Sequence, residues 1–221
     1  MLKKQVGNMY EFVTHMWSPI RGKCRHDCSY CYTKRWGPQK PLHIDEKDLM
    51  ADLGKGNFIF VCHTIDLFAY DVPTEWIKRV LRRLRAHPLN KYLLQSKNPE
   101  RFLYHSGYPH DVLFGTTIET NRDIVESRAP SCSERAEALH MMKENGYSTM
   151  VTIEPIFDFD LDELVDLIIF ANPEWVNIGA DSKGHGLPEP PPEKIRSLID
   201  RLRKYTDVKL KGNLSRIIKK E

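Results

Sequence analysis

The run Glu11-Phe12-Val13-Thr14-His15-Met16-Trp17 is followed, after Ser18-Pro19-Ile20-Arg21-Gly22-Lys23, by Cys24-Arg25-His26-Asp27-Cys28-Ser29-Tyr30-Cys31. The first piece is short, largely apolar and rich in aromatic and β-branched residues, the pattern of a strand. The second is polar and crowded with cysteine, and reads as a loop leaving the carboxyl end of that strand. Working outward, the same pattern recurs. Further strands are expected at 57–62, 91–95, 112–117, 147–153, 175–179 and, shorter, 208–211. Between them Ile77, Val80, Leu81 and Leu84 share one helical face, as do Leu161, Leu164, Val165 and Ile168, and then Ile195, Leu198, Ile199 and Leu202.

Helix ends are marked as well. Asp45, Thr74, Ser131 and Asp160 are candidate N-caps, the last two with Glu134 and Glu163 three residues on, while Gly146 and Asn172-Pro173 are stop signals. Six strand-helix units and a last strand fill the chain. Such alternation requires crossover helices between parallel strands, so the fold class is α/β with a parallel sheet. Periodicity leaves a doubly wound sheet and a full or partial barrel equally open.

In either architecture ligands bind beyond the carboxyl ends of the strands. Those positions carry the three cysteines, then Cys62, His63, Thr64 and Asp66, then Ser96, Lys97 and Asn98. They continue with Thr116, Thr117, Glu119 and Asn121, with Glu154, with Asp181, Ser182, Lys183 and His185, and with Lys211 and Asn213. Loops are polar anyway, but chemistry-bearing residues after every strand make one ring.

A single domain over residues 1–221 is expected, with 41% apolar, 29% charged and 10% aromatic residues and a net charge of +3. That charge neither demands nor excludes an anionic partner. The lysines near the N-terminus precede no apolar run of the secretory kind, and no stretch approaches a membrane span, so a cytoplasmic protein is expected. Five cysteines, three of them in eight positions, suit a metal or redox site better than a disulfide framework.

The spacing C-x3-C-x2-C places three soft ligands in one loop, where an iron-sulfur cubane ordinarily takes four. One iron is then left open. The alternatives are a structural zinc site completed by His26 or His15 and three unrelated thiols, although zinc sites usually pair two separated hooks. With an aromatic, Tyr30, before the third cysteine, the motif resembles that of the radical S-adenosylmethionine (SAM) superfamily. Within it the likeness is to spore photoproduct lyase-like and phage-associated proteins. It extends to Trp17-Ser18-Pro19, Ser96-Lys97-Asn98-Pro99, Gly115-Thr116-Thr117-Ile118-Glu119, Arg128-Ala129-Pro130 with Arg135, and Ile153-Glu154-Pro155.

The resemblance implies a partial (βα)6 TIM-like barrel with outer helices and a cluster-binding loop at about 18–36. It implies that Cys24, Cys28 and Cys31 hold a [4Fe-4S] cluster, and that SAM chelates the open iron and is reductively cleaved to a 5'-deoxyadenosyl radical that takes hydrogen from a substrate. Lys97, by the same likeness, contacts the methionine carboxylate, with Thr117 assisting. Tyr30, Glu119 and Glu154 are further cofactor-site candidates, an ion pair with Arg128 or Arg135 being the plainer reading of the two glutamates. Asp66 is the nearest stand-in for the usual acidic motif after the second strand. Cys62 corresponds to a cysteine that donates hydrogen to a product radical, or else merely fills space; Cys132 is incidental.

A nucleic-acid base is the first substrate the likeness suggests, with a peptide or small metabolite as alternatives, and an external electron donor such as flavodoxin or ferredoxin is implied. Lys209, Lys211, Arg216, Lys219 and Lys220 are candidates to guide a phosphate backbone, whereas the basic side of residues 78–85 reads as a solvated face. Residues 184–192, flexible then proline-rich, suit a lid or a plain connector. The rival functions are an iron-sulfur electron-transfer or binding module without radical chemistry and a zinc-dependent nucleic-acid-binding protein.

Overall fold

The computed structural model describes residues 1–218. The chain begins with β1 (Lys3–Lys4), β2 (His15–Trp17), β3 (Ile20–Arg21), β4 (His43–Ile44), α1 (Glu46–Leu49) and β5 (Phe58–Val61). It continues through α2 (Thr74–Arg85), β6 (Lys91–Gln95), α3 (Glu100–Leu103), β7 (Val112–Thr117) and α4 (Cys132–Glu144). It ends with β8 (Ser148–Ile153), α5 (Leu161–Ala171), β9 (Trp175–Ile178), α6 (Pro192–Leu202) and β10 (Asp207–Leu210).

Among the described residues one eight-stranded sheet runs β1-β2-β5-β6-β7-β8-β9-β10. From β2 to β10 every neighbour is parallel, and β1 alone is antiparallel, Lys3 opposite Met16 and Lys4 opposite His15. The seven strands expected from the sequence are all present. The sheet does not close, so it is a partial barrel, with β1 and β10 as its two edges.

The strands bury side chains on both faces. Ile59, Leu94, Phe114 and Val151 join the helical faces of α2, α5 and α6 in the main core, while the alternating Leu93, Leu113 and Met150 point the other way and pack with Tyr10 and Val13. Here the structure departs from expectation. Residues 9–13 do not extend the first strand but turn, Val13 N donating to Tyr10 O at 3.0 Å, and Tyr10 stacks on Phe12 at 5.3 Å against the sheet. Burying these rings against Phe58, Phe60 and Trp175 outweighs the pairing that three more strand residues would make.

Two caps also differ. Thr74 is the first residue of α2, Pro73 being its N-cap. Asp160 is the N-cap of α5 as expected, but its side chain makes no capping bond, its carboxylate being held by Arg122, whose Nε lies 2.8 Å away. Ser131 and Glu134 do form a reciprocal capping box, and Asn172 closes α5 in the left-handed conformation at φ 51°. Ser131→Ala should cost about 1 kcal/mol and lower Tm by about 3 °C, measured by thermal unfolding.

Candidate cofactor and active site

The cysteine loop is an excursion between the two strands of a hairpin, Ile20 pairing with Ile44 and Arg21 with His43. Its neck is narrow: at Gly22 (φ +114°) a Cβ would stand 2.5 Å from Pro41 O, so only glycine fits. Cys24, Cys28 and Cys31 are free thiols that line one cavity of about 910 Å3 at the carboxyl ends of the strands. Cys28 Sγ lies 3.2 Å from Ser127 Oγ, and Cys31 Sγ 3.1 Å from Thr33 Oγ1. Burial, then the charge of Asp66, pushes the Cys24 thiol up to about 12.

Two buried contacts fasten the loop to the barrel. The Tyr30 hydroxyl donates to Glu119, and Tyr30 meets Phe157 edge-on at 5.5 Å. His26 Nε2 is 2.7 Å from Asp66 Oδ2, which also accepts from Ser96 Oγ and the Lys97 amide, while Oδ1 accepts from the Phe68 amide. Asp66 is thus turned toward the cysteine loop, every oxygen engaged. Burial would raise its carboxyl, but His26, Ser96 and the Lys97 amide outweigh that and hold it below the usual range. Asp66 lines the cavity, where it was expected, and at the same time braces the loop through His26.

Lys97 and Thr117 come together in the cavity wall. Lys97 Nζ donates to Thr117 Oγ1 at 3.2 Å and sits 5.3 Å above the Tyr30 ring. Glu119 is completely buried and does not line the cavity. Its oxygens meet Arg135 Nη1 at 2.7 Å and Lys97 Nζ at 3.6 Å, besides Tyr30 and the Cys132 thiol at 3.4 Å. Of the two readings of Glu119, the ion pair with Arg135 is what the geometry contains. Burial pushes the carboxyl up, but Arg135 and then Lys97 overcome it and bring it to about 2.

Glu154 does line the cavity, yet it too is braced. Oε1 accepts from Asn8 Nδ2 at 2.7 Å and Asn213 Nδ2 at 2.9 Å, and Oε2 lies 3.0 Å from Lys211 Nζ. Gly179 makes room: a Cβ there would stand 2.8 Å from Glu154 Cδ. Lys211 Nζ also donates to Asn8 O at 2.6 Å, joining the segments that follow β1 and β10 across the open side of the barrel.

Cys62, just past β5, is buried at φ 56°, a left-handed conformation that costs a residue with a Cβ about 1 kcal/mol. Its amide donates to Trp17 O at 2.8 Å, and desolvation lifts its thiol to about 12. Neighbouring His63 is pushed down to about 4 by burial and then by Lys3, so its ring is neutral near pH 7; Nδ1 lies 2.9 Å from Ser18 Oγ.

Most of the ring of polar residues faces this cavity, but Asn98, Thr116, Glu119, Asn121 and Asn213 do not line it. Asn98 and Thr116 satisfy backbone carbonyls of Phe68 and Ser96, and Asn121 bonds Glu163. Asp181 gathers the amides of Lys183 and His185, tying down the start of the segment read as lid or connector. Of the C-terminal cations, Lys211 is buried against Glu154, whereas Lys209, 4.1 Å above the Trp175 ring, and Arg216, paired with Glu189, remain exposed. Lys219 and Lys220 lie outside the described residues. The exposed side of α2 is solvated as expected, with Lys78 paired to Glu75 and Arg79 to Glu46. Sequence reasoning missed Gln95, Asn8 and Tyr10 as cavity-lining residues, and had His26 only as a possible zinc ligand; Asn8 and Tyr10 belong to no motif and arrive by long-range packing.

The donor set suits an iron-sulfur cluster. Among the described residues no three His, Cys, Asp or Glu side chains converge as ligands of one metal ion; a cubane spreads its thiolates over separate irons and meets thiols set apart around a cavity. His26 Nδ1, in the middle of the cysteine loop and among the cavity-lining side chains, is buried without a hydrogen-bond partner, as a wall built around a further polar group would leave it.

The family model described as "Protein of unknown function (DUF5131)" matches residues 8–206. No curated protein matches the chain in sequence. Among solved structures, a spore photoproduct lyase variant with bound AdoMet (SAM) and dinucleoside spore photoproduct superposes with TM-score 0.61 at 14% identity, covering 91% of this chain and 64% of that one. Streptococcus suis SuiB bound to S-adenosylmethionine gives TM-score 0.60 at 10% identity, over 92% of this chain and 52% of that one. A structure of anSMEcpe with bound AdoMet and a peptide gives 0.52 at 12% identity, over 88% and 62%. This chain therefore spans less than two thirds of the length of each of these three, and what it shares with them is the fold, the TIM-like partial barrel expected from the radical SAM resemblance.

Glu119→Gln leaves Arg135 buried without its counter-charge and should cost about 3 kcal/mol or more. Because the folded carboxyl titrates below its unfolded value, its contribution is complete above about pH 4.5 and is lost as pH falls toward about 2. Urea unfolding across that interval should show the parent and Glu119→Gln converging; a constant gap would refute the assignment.

Proposed function

Since the chain belongs to the DUF5131 family, whose function is the open question, we propose that it is a radical SAM enzyme. The observation that carries this is one cavity lined at once by the three thiols of a C-x3-C-x2-C loop and by Lys97. Cys24, Cys28 and Cys31 would hold three irons of a [4Fe-4S] cluster, with the fourth iron open to the amino and carboxylate groups of SAM. When bound and reduced, this pair supplies an electron that splits the sulfonium into methionine and a 5'-deoxyadenosyl radical able to abstract hydrogen from a substrate.

The chain's own residues divide the remaining work. Lys97, poised by Thr117 over the Tyr30 ring, offers a cation to the SAM carboxylate. Glu119 serves from beneath, holding Tyr30 and Lys97 in register. Glu154, anchored by Asn8, Asn213 and Lys211, presents a carboxylate to the ribose hydroxyls or to substrate. Cys62 donates hydrogen to a substrate radical, and its burial supports this by keeping the hydrogen on sulfur at neutral pH.

A nucleic-acid base is the substrate we favour. Tyr32 and Trp36, edge-on at 5.6 Å and exposed, line the cavity with Lys23, Lys34 and Lys183, a combination that suits base stacking beside a phosphate chain. The dinucleoside bound by the lyase neighbour supports the same choice. The electron would come from an external carrier. Thiol-rich chemistry of this kind belongs in a reducing compartment, in keeping with a cytoplasmic location; no described helix is long and apolar enough to cross a membrane.

Anaerobic reconstitution should give iron and acid-labile sulfide, and the reduced protein should release 5'-deoxyadenosine and methionine from SAM, resolved by chromatography. Cys28→Ala should release neither. About one equivalent of zinc without sulfide would exclude the enzyme. Lys97→Ala should keep its iron content and raise the KM for SAM roughly 10- to 100-fold, the worth of one charge-assisted hydrogen bond. Cys62→Ala should still cleave SAM but alter the product distribution once a substrate is in hand; identical products would remove its role as donor.

A further inference from the structure

Two side-chain hydroxyls stand against two of the three loop thiols. Ser127 Oγ lies 3.2 Å from Cys28 Sγ, and Thr33 Oγ1 lies 3.1 Å from Cys31 Sγ. Among the described residues no hydroxyl bonds Cys24, which takes main-chain hydrogen bonds from Asp66 and His26 instead.

Ser127 reaches Cys28 across 99 positions of sequence, from the stretch between β7 and α4, and the backbone aims it. The residues on either side are fastened to the cysteine loop, Ser29 N donating to Glu126 O at 2.9 Å and Arg128 N to His26 O at 2.7 Å. That two-point attachment sets the intervening side chain on Cys28, which lies between His26 and Ser29. The Ala129 amide then donates to Ser127 Oγ at 3.1 Å, leaving the hydroxyl proton for an acceptor. Two are in reach, Cys28 Sγ and, at 3.3 Å, His26 O, and the carbonyl already accepts from Arg128. A free thiol at Cys28 can itself be the donor; a thiolate bound to metal carries no proton, and the hydroxyl becomes the donor. Ser127 also lines the open groove of about 490 Å3 on the outer side of the loop, which buried Cys28 does not reach. The hydroxyl thus stands between this sulfur and solvent.

Thr33 is buried, and its hydroxyl has no other hydrogen-bond partner among the described residues. Its turn is pinned by the Lys34 amide on Cys31 O at 3.1 Å and by Gln39 Nε2 on Thr33 O at 3.1 Å. A buried hydroxyl with a sulfur as its one protein partner donates to that sulfur or forgoes a hydrogen bond.

We infer that Ser127 and Thr33 raise the reduction potential of the cluster site, each donating a hydrogen bond from its hydroxyl to a ligating sulfur, of Cys28 and Cys31 respectively. This rests on the cluster reading above. Reduction adds one electron, and so one negative charge, with no bond or proton exchanged. A donor at the thiolate draws charge from sulfur and stabilises the reduced form more than the oxidised one.

The test is a redox titration of reconstituted protein without SAM, followed by the EPR signal of the reduced cluster, with iron and sulfide assayed on the same samples. Ser127→Ala and Thr33→Val should keep their iron and sulfide. Each should lower the equilibrium constant for reduction about tenfold, which is about 59 mV for one electron, and the double variant should fall further than either. Ser127→Thr and Thr33→Ser, which retain the hydroxyl, should titrate with the parent. Transfer of the parent to D2O should shift its Fe–S(Cys) stretches in the resonance Raman spectrum, and the shift should shrink in Ser127→Ala and in Thr33→Val. Unchanged potentials in both variants at full iron content would overturn the inference and leave the cluster in place. Loss of iron, with the remaining cluster titrating like the parent, would make the hydroxyls structural only and overturn it equally. A parent that takes up no iron and sulfide would bring down the cluster reading itself.

Discussion

The carboxylate of Glu119 sits at the end of β7 with no solvent around it, and four parts of the molecule meet there. Arg135 reaches it from α4, Lys97 from the end of β6, Tyr30 from the cysteine loop, and Cys132 lies beside it. A buried charge is tolerable only when its counter-charge and hydrogen-bond donors are all in place. The constraint therefore works outward. The loop cannot settle without Tyr30 reaching its acceptor, and Lys97 cannot take its position over the Tyr30 ring without the same anchor. Asp66 repeats the device on the other flank of the loop through His26, Ser96 and the Lys97 amide.

These two carboxylates also mark where reading the sequence succeeds and where it stops. The strands were legible because each is a short apolar run bounded by polar loops, and the helices because Ile77, Val80, Leu81 and Leu84, or Ile195, Leu198, Ile199 and Leu202, repeat at helical spacing and are all buried. The cysteines, Lys97, Thr117 and Glu154 were legible as positions after strands. What a one-dimensional pattern does not encode is which oxygen is already spoken for. Glu119 and Glu154 look alike in sequence, each an acidic residue after a strand, yet one lies beneath the cavity and the other in its wall. Asp66 lines the cavity as its place after a strand suggested, but it also holds His26, a pairing across 40 residues that no local signal announces. Residues 11–14 misled for a related reason: Phe12 and Val13 satisfy a strand pattern, but the sheet offers them a better burial on its inner face.

The cysteine loop separates two environments. Its inner side is the shared wall of a cavity containing a lysine, two braced carboxylates and a buried thiol. Its outer side is a smaller, open groove where Lys34 and Arg128 stand beside Asp27 and Glu126. The loop is thus a thin partition between a deep cavity and open solvent.

The tie between Asn8, Glu154 and Lys211 spans the gap between the two edges of the sheet. In a complete barrel that gap would be stitched by a row of main-chain amides, whose spacing is rigid. Here the ring is fastened by a clasp of side chains, whose torsions give. The two edges of this barrel are therefore held at a distance set by side-chain rotamers rather than by main-chain register.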